Sequence, residues 1–504
     1  MKQSSVILKN AGSNWALMAI ESIISFFLSP FIIHKLGDSN YGIWILISSI
    51  IGYYGLLDLG IGSAVSRYVS KYHAVKDSRS SNEVMSSCFF IFLGIGIICL
   101  AVSSVFAFIM PGIFNVPQAS RADFSLLVLI LGLGIAITFP SKVFDTGIKA
   151  VEKFHVCNNI GIALAIAKTG FIVYLLSKGY GLVALGFITL GRIVLAALLY
   201  IRYAFKLLPG LEIKFGLVRK NQVKLVFNYS IFTFLIAVAD HLRFYTDSLV
   251  IAYFLPIASI TYYAIGAKLV EYFKGIIITV ITPTTPVFSK YEATNRQADI
   301  QNLLIKATKY LALVSMFVGS ILILYGRPFI RLWVGEKYSS SYFILLILVP
   351  PYISDLAQVP SVSALYGIDK HKLLAYFTLA EGMANLVLSL ALVRKYGIYG
   401  VALGTAIPMF IVKTFIQPVY VCKIMKIPIR RYFQEALLKP FVIFLVFMSL
   451  MGLAIRFFPP GSFFQLGLMT TLSFSLFLAM VILFCVEAEE KMIWKQAIIN
   501  KFQS

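Results

Sequence analysis

Acidic side chains are scarce in this chain. Only 22 Asp and Glu stand against 44 Lys and Arg, and charged residues of every kind make up 13% of its 504 positions. Cysteine is scarcer still. Cys88, Cys99, Cys157, Cys422 and Cys485 form no Cys-x-x-Cys pair, so they read as small apolar residues and not as a thiol redox centre. No His/Cys cluster has zinc spacing, so no metal is expected. No Gly-x-x-x-x-Gly-Lys-Ser/Thr occurs, which excludes a phosphate loop for ATP, and no nucleophile motif stands out. The sequence calls for no cofactor and does not read as an enzyme. Low-complexity tracts and coiled-coil heptads are missing as well.

Apolar residues are what the chain has in quantity: 59% are hydrophobic, and the mean hydropathy is +0.86. Apolar runs repeatedly reach about 20 residues, the length that crosses a bilayer as a helix. Lipid offers backbone amides no partner, so such runs must satisfy their own hydrogen bonds. About 14 runs occur, centred near Ile20, Ser49, Gly96, Gly132, Ala165, Gly191, Ala239, Ala267, Val314, Ser354, Leu386, Phe410, Phe447 and Phe474. They predict an all-α integral membrane protein.

The formal net charge of +22 does not point to nucleic acid, because the basic residues sit in short loops between apolar runs. Most of these loops fall on the side of the N-terminus. This positive-inside bias places both termini in the cytoplasm. The strongest inside loops run from Arg202 to Lys224 and from Lys423 to Lys439, where they can meet anionic lipid heads. Lys2 and Lys9 precede an apolar stretch from about Ala11 to Ile33 with no small-residue cleavage site, which predicts a retained first span. Every outside loop is short, which leaves no room for an extramembrane domain.

The chain repeats itself. Pro140-Ser141 and Gly147-Ile148 return as Pro360-Ser361 and Gly367-Ile368 with the same internal spacing. Val183-Ala184-Leu185-Gly186 returns as Val401-Ala402-Leu403-Gly404, and Ser70-Lys71-Tyr72 as Ser289-Lys290-Tyr291. The offset stays near about 220 residues throughout, as in transporters built from two copies of one unit. The expected organisation is a six-helix lobe over 1–203 and a basic cytoplasmic linker over 204–226. A second six-helix lobe follows over 227–422, then two extra helices and a tail over 423–504. Six is even, so both copies enter from one side, as a parallel repeat. Prolines mark expected kinks or breaks, unless they serve ordinary packing, as is common in membrane helices. Pro350-Pro351 and Pro360 should interrupt the tenth span, Pro140 should end the fourth, and Pro283 and Pro286 should close the eighth.

Ionisable groups at membrane depth are costly and therefore functional candidates. Asp240, Arg243 and Asp247 lie within roughly 60° on one face of the seventh span. Lys268, Glu271 and Lys274 spread over roughly 120° of the eighth. This seam either holds an anionic head group or a coupling cation, or neutralises itself. Asp58 has no charged neighbour on its own helix, and Asp355 follows Pro350-Pro351 near mid-membrane; both are candidates to carry H+ or Na+. The expected ion-coupling residues are Asp58, Asp240, Asp247, Glu271 and Asp355. The expected substrate-binding residues are Arg243, Lys268, Lys274 and Arg67, the last of which, with Lys71, otherwise anchors the cytoplasmic end of the second span. Glu21 and Glu381 are weaker candidates. Lys168, Arg192 and Lys413 either snorkel to an interface or line a cavity.

Leu36-Gly37, Tyr41-Gly42, the run Leu56-Leu57-Asp58-Leu59-Gly60-Ile61-Gly62-Ser63-Ala64 and Arg67 together resemble the start of the polysaccharide transporter family. These are the O-antigen and capsule flippases of the multidrug/oligosaccharidyl-lipid/polysaccharide (MOP) superfamily. Tyr253-Phe254-Leu255, Tyr262-Tyr263 and Pro286-Val287-Phe288-Ser289-Lys290-Tyr291 are similar in the second copy, as are Tyr180-Gly181 and Tyr399-Gly400. The resemblance implies two six-helix lobes in a V, with a central cavity that opens to each side in turn. It implies an oligosaccharide on a polyprenyl pyrophosphate as cargo, flipped across a bacterial or archaeal cytoplasmic membrane. Membrane lipids and polysaccharide assembly proteins would be its partners. Lipid II flippases of the superfamily share the two extra helices but grip pyrophosphate with arginines of the first spans. Here the first span has Glu21 and no Arg or Lys, which favours the polysaccharide branch. An ion-coupled multidrug exporter, although such relatives usually stop at 12 spans, and a lipid II flippase are the other readings. A polysaccharide polymerase or ligase would need a sizeable outside loop that is lacking here.

Overall fold

The computed structural model describes residues 2–226, 238, 241, 245–281, 284–370 and 372–486. Among the described residues all regular structure is helical. Contacts divide the chain into two compact units, Met1–Thr261 and Tyr262–Ser504.

The first unit holds α1 (Lys2–Tyr53), α2 (Ile61–Ala74), α3 (Ser78–Ile113), α4 (Arg121–Ala150), α5 (Phe154–Ser177), α6 (Leu182–Leu207) and α7 (Thr246–Phe254), and it ends within α8 (Ala258–Ile281). Asp77 caps α3 by accepting from the Ser80 amide at 3.0 Å. The Ser80 hydroxyl and amide hold that exposed carboxyl below the usual Asp range. α3 packs on α4, α4 on α6, and α1 on α5. The core between them is apolar, with Phe92, Met85, Val143, Phe144 and Ile148 buried. Cys88, Cys99 and Cys157 are buried in the same core as free thiols, in line with their reading as small apolar residues.

The second unit continues with α9 (Thr284–Ala293), α10 (Gln297–Trp333), α11 (Ser341–Ala357), α12 (Val359–Gly367), α13 (Lys372–Ile411), α14 (Gln417–Met425), α15 (Ile429–Tyr432), α16 (Lys439–Phe457) and α17 (Phe463–Phe484). α10 packs on α11 and α11 on α13. The last two helices dock on α10 through Phe447, Phe477 and Met451, and the Tyr325 and Ser473 hydroxyls hydrogen-bond at 2.9 Å across that seam.

Among the described residues, ten helices are long and apolar enough to cross a membrane. Every expected run centre except Ala239 and Ala267 falls inside one of them. Ala239 lies outside the described residues, and Ala267 lies in α8, whose Lys268, Glu271 and Lys274 make it too charged to qualify. Two of the ten, Lys9–Asp58 and Lys372–Met425, run to 50 and 54 residues. At 1.5 Å per residue a straight rod of that length would be about 75 Å long, more than twice the apolar core of a bilayer. Each is broken by a glycine in the left-handed region, Gly37 at φ 74° and Gly397 at φ 59°. Gly179, at φ 87°, precedes the first Val-Ala-Leu-Gly just as Gly397 precedes the second.

The prolines act differently from expectation. Pro140 does not end its helix, because α4 runs on to Ala150. Proline cannot bond the carbonyl four residues back, which leaves Ala136 O without its helical donor. Gly96 of α3 packs there so closely that a methyl group on it would sit 2.7 Å from Ala136 O. A neighbouring helix thus covers the gap, as membrane helices allow. Pro350 and Pro351 lie inside an unbroken α11, and the break comes later, at Gln358, with Pro360 in the first turn of α12. Pro286 lies in the opening turn of α9, whereas Pro283 lies outside the described residues. Two π-helical segments, Val412–Ile416 and Phe433–Leu438, each stand two residues before a proline, Pro418 and Pro440. Widening the helix there removes the clash with the preceding turn.

Candidate functional site

The second span is discontinuous where its acid sits. A short 3₁₀ turn, Tyr54–Asp58, is followed by Leu59 at φ 50° and Gly60 at φ 75°, and α2 then restarts at Ile61. Asp58 is therefore held at a break in the helix. It is also not alone: Lys142 of α4 reaches it, Nζ to Oδ1, at 3.0 Å. A methyl group on Gly62 would stand 3.0 Å from Lys142 Cε, so glycine there lets the lysine stem cross α2. The pair is partly exposed, at 21% for the aspartate side chain and 40% for the lysine. Expecting Pro140 to end the span is what hid Lys142. The continuous α4 carries it two residues beyond Pro140, to face Asp58.

A second polar group forms on α1, α5 and α6. Glu21 and Arg192 meet at 3.4 Å with 49% and 37% of their side chains exposed. Lys168 lies within electrostatic reach of both. Lys168 and Arg192 flank an apolar-walled cleft of about 300 Å³ between α5 and α6.

The second unit treats its charges differently. Asp355 of α11 and Lys413 of the first π-helical segment pair at 3.1 Å, with only 15% and 7% of the side chains exposed. Lys413 therefore does not snorkel to an interface. It also donates to Gln417 Oε1 at 3.2 Å. Gln417 Nε2 in turn reaches Gln358 O at 3.4 Å, and Gln358 Oε1 accepts from Ser361 Oγ at 2.8 Å and from Tyr432 OH at 3.0 Å. Tyr432 is fully buried. Its hydroxyl also touches Thr308 Oγ1 at 3.4 Å, so this network ties α10, α12, α14 and α15 to the break at Gln358.

Other expected residues are scattered. Lys268 and Glu271 pair along α8 at 2.8 Å, and the Lys268 ammonium sits 5.4 Å from the Tyr272 ring centre, so part of the expected seam neutralises itself. Lys274 is half-buried on the same helix. Asp247 is buried in the first turn of α7, beside Thr246, which hydrogen-bonds the Tyr53 hydroxyl at 2.7 Å. Arg67 is exposed on α2, 5.9 Å from the Tyr68 ring. Glu381 is buried in α13, with Asn385 and Ser389 one and two turns along it. Asp240 and Arg243 lie outside the described residues. Among the described residues no three His, Cys, Asp or Glu gather as a metal site.

Sequence reasoning missed Lys142 and Lys309, the latter a buried lysine of α10 whose ammonium lies 5.4 Å from the Tyr310 ring. Lys142 had a signal, since it directly follows the repeated Pro-Ser pair.

Comparison with known proteins places this arrangement. Residues 36–342 match a family described as "Polysaccharide biosynthesis protein". A putative O-antigen transporter of Shigella flexneri is 22% identical over 427 residues, which cover 82% of this chain and 97% of that protein. Among solved structures, the lipid II flippase MurJ in an inward closed conformation superposes with a TM-score of 0.73 at 16% identity, over 93% of this chain and 98% of that one. An inward-facing multidrug resistance MATE transporter of the MOP superfamily gives 0.67 at 13% identity, over 81% and 94%. These likenesses establish the fold, a multi-pass helical membrane architecture shared with MOP transporters.

Proposed function

Because this chain belongs to the polysaccharide biosynthesis protein family, we propose that it is a flippase. Its cargo is an oligosaccharide on a polyprenyl pyrophosphate, and it works by alternating access in a cytoplasmic membrane with both termini inside. The glycine breaks at Gly37 and Gly397 each separate two spans, which supports a total of about 14 when α8 and the seventh span are included.

One observation carries the reading. Charged groups of the first unit at membrane depth, Glu21, Arg192 and Lys142, expose more than a third of their side chains. Hydrocarbon does not tolerate such groups, so the face that bears them looks into water. A wet, charged face inside the membrane suits a polar head group in transit. Arg67, Arg243, Lys268 and Lys274 are the proposed contacts for phosphate and acidic sugar. Asp58, Asp240, Asp247, Glu271 and Asp355 are the proposed ion-coupling acids, with H+ or Na+ as the ion. Asp58 holds a lysine in a partly exposed pair, so protonating this acid releases an ammonium. Coupling by this route links proton or cation binding to a change in helix contacts.

The test reconstitutes the full chain in vesicles that carry a lipid-linked oligosaccharide, and scores head groups that become accessible to an external lectin. The expected result is accessibility that rises with the protein present and falls when the ion gradient is dissipated. Accessibility equal to protein-free vesicles overturns the reading.

A further inference from the structure

The cleft between α5 and α6 is the feature that the proposed roles leave unused. Its walls are apolar: Phe171, Phe187 and Leu195 are all exposed along it. Gly191 also lines it, and an added methyl group there would meet nothing within 4 Å. Two bases, Lys168 and Arg192, stand beside these walls. A single acid answers them, and Glu21 is held by Arg192. Lys168 has no hydrogen-bond or ion-pair partner among the described residues, although it lies in a span flanked by aromatic rings. An ammonium at this depth needs an anion or water. The cleft therefore carries one positive charge more than its own acid neutralises, next to an apolar trough. That pairing of chemistries matches an amphiphile with a phosphate head and a hydrocarbon tail.

We propose that this cleft binds a phosphate-headed lipid, with Lys168 and Arg192 on the phosphate and the chain lying over Gly191 between Phe171 and Phe187. The inference rests on the flippase reading for the source of that lipid, the cargo's prenyl pyrophosphate. A bulk anionic phospholipid offers the same chemistry. Glu21 is the resident counter-ion: an arriving phosphate takes its place on Arg192, and the departing phosphate returns it. Arginine suits that exchange, because its fork accepts carboxylate and phosphate alike.

The test uses the purified full chain in detergent with three probes: farnesyl pyrophosphate, phosphatidylglycerol and inorganic pyrophosphate. Binding is read by native mass spectrometry. Lys168→Gln and Arg192→Gln should each weaken farnesyl pyrophosphate at least tenfold, and Lys168→Arg should keep most of the affinity. Gly191→Leu fills the trough; its first side-chain carbon meets nothing within 4 Å and leucine improves helix propensity, so it should fold normally. It should weaken farnesyl pyrophosphate but leave inorganic pyrophosphate unchanged. Unchanged farnesyl pyrophosphate binding in Lys168→Gln, Arg192→Gln and Gly191→Leu overturns the site. Equal losses for phosphatidylglycerol keep the site and assign it to bulk lipid, which overturns the cargo step. Deletion of the gene, with surface polysaccharide as readout, separates the two levels. Export lost on deletion but cleft variants that bind as before sinks the cleft alone, whereas export that survives deletion sinks the flippase reading.

Discussion

The cross-helix pair Asp355–Lys413 of the second unit is more deeply buried than the cross-helix pairs Asp58–Lys142 and Glu21–Arg192 of the first. In the first, Asp58–Lys142 and Glu21–Arg192 are reached by solvent on at least one partner. In the second, Asp355–Lys413 is closed in by a π-helical bulge and a hydrogen-bonded chain through Gln417, Gln358 and Tyr432. Burial strengthens a charge pair and makes the loss of one member costly, whereas exposure leaves the pair weak and exchangeable. The two pairs of the first unit can thus trade partners with a passing ligand, whereas Asp355–Lys413 holds helices together.

This contrast can be broken most sharply at Lys413. Lys413→Ala takes the ammonium from a buried carboxylate and should cost about 3–5 kcal/mol, read as a lowered unfolding midpoint in detergent. Combining it with Asp355→Leu should recover most of that loss, because the second change removes the stranded charge. A single mutant as stable as the parent chain would show that the pair is wet after all.

The next effect is at Tyr432. Tyr432→Phe removes a hydroxyl that bonds Gln358 Oε1 and touches Thr308 in a fully buried site. A loss of about 1–3 kcal/mol is expected, together with faster amide exchange around the Gln358 break. In the first unit the matching structural test is Gly96→Ala. The new methyl group meets a backbone carbonyl, Ala136 O, which cannot swing aside. Separating α3 from α4 should cost about 1–3 kcal/mol. A neutral result would mean that Ala136 O is not covered by that close approach.

Much of the fold was legible because helices long enough to span lipid announce themselves in one dimension, and the Val-Ala-Leu-Gly repeat marks equivalent helix starts after Gly179 and Gly397. The site was less legible, for a physical reason. Lys142 and Asp58 lie 84 positions apart, and helix periodicity relates only residues on one helix. The proline rule also misled. A proline in water ends a helix, but at Pro140 the packing of Gly96 compensates, and the helix continues to the lysine that matters. The buried seat of Lys413 was not legible, because nothing in its neighbourhood announces a π-bulge except a proline five residues on.

The smallest stability effect should belong to the pair that does the most. Lys142→Ala breaks an ion pair whose lysine is 40% exposed, so water screens what is left and the cost should stay within about 1 kcal/mol. Transport should nevertheless fall, because Asp58 sits on two left-handed residues that interrupt the second span, and Lys142 ties that interruption to α4. A helix break that must reset during each cycle depends on a contact that forms and opens, and a weak, wet pair does so where a buried one cannot. Exchanging the two charges, Asp58→Lys with Lys142→Asp, preserves the attraction and should restore part of the transport lost in either single mutant. If Lys142→Ala unfolds the chain as readily as Lys413→Ala does, the first unit is as rigidly pinned as the second. The division between exchanging charges and holding charges then fails.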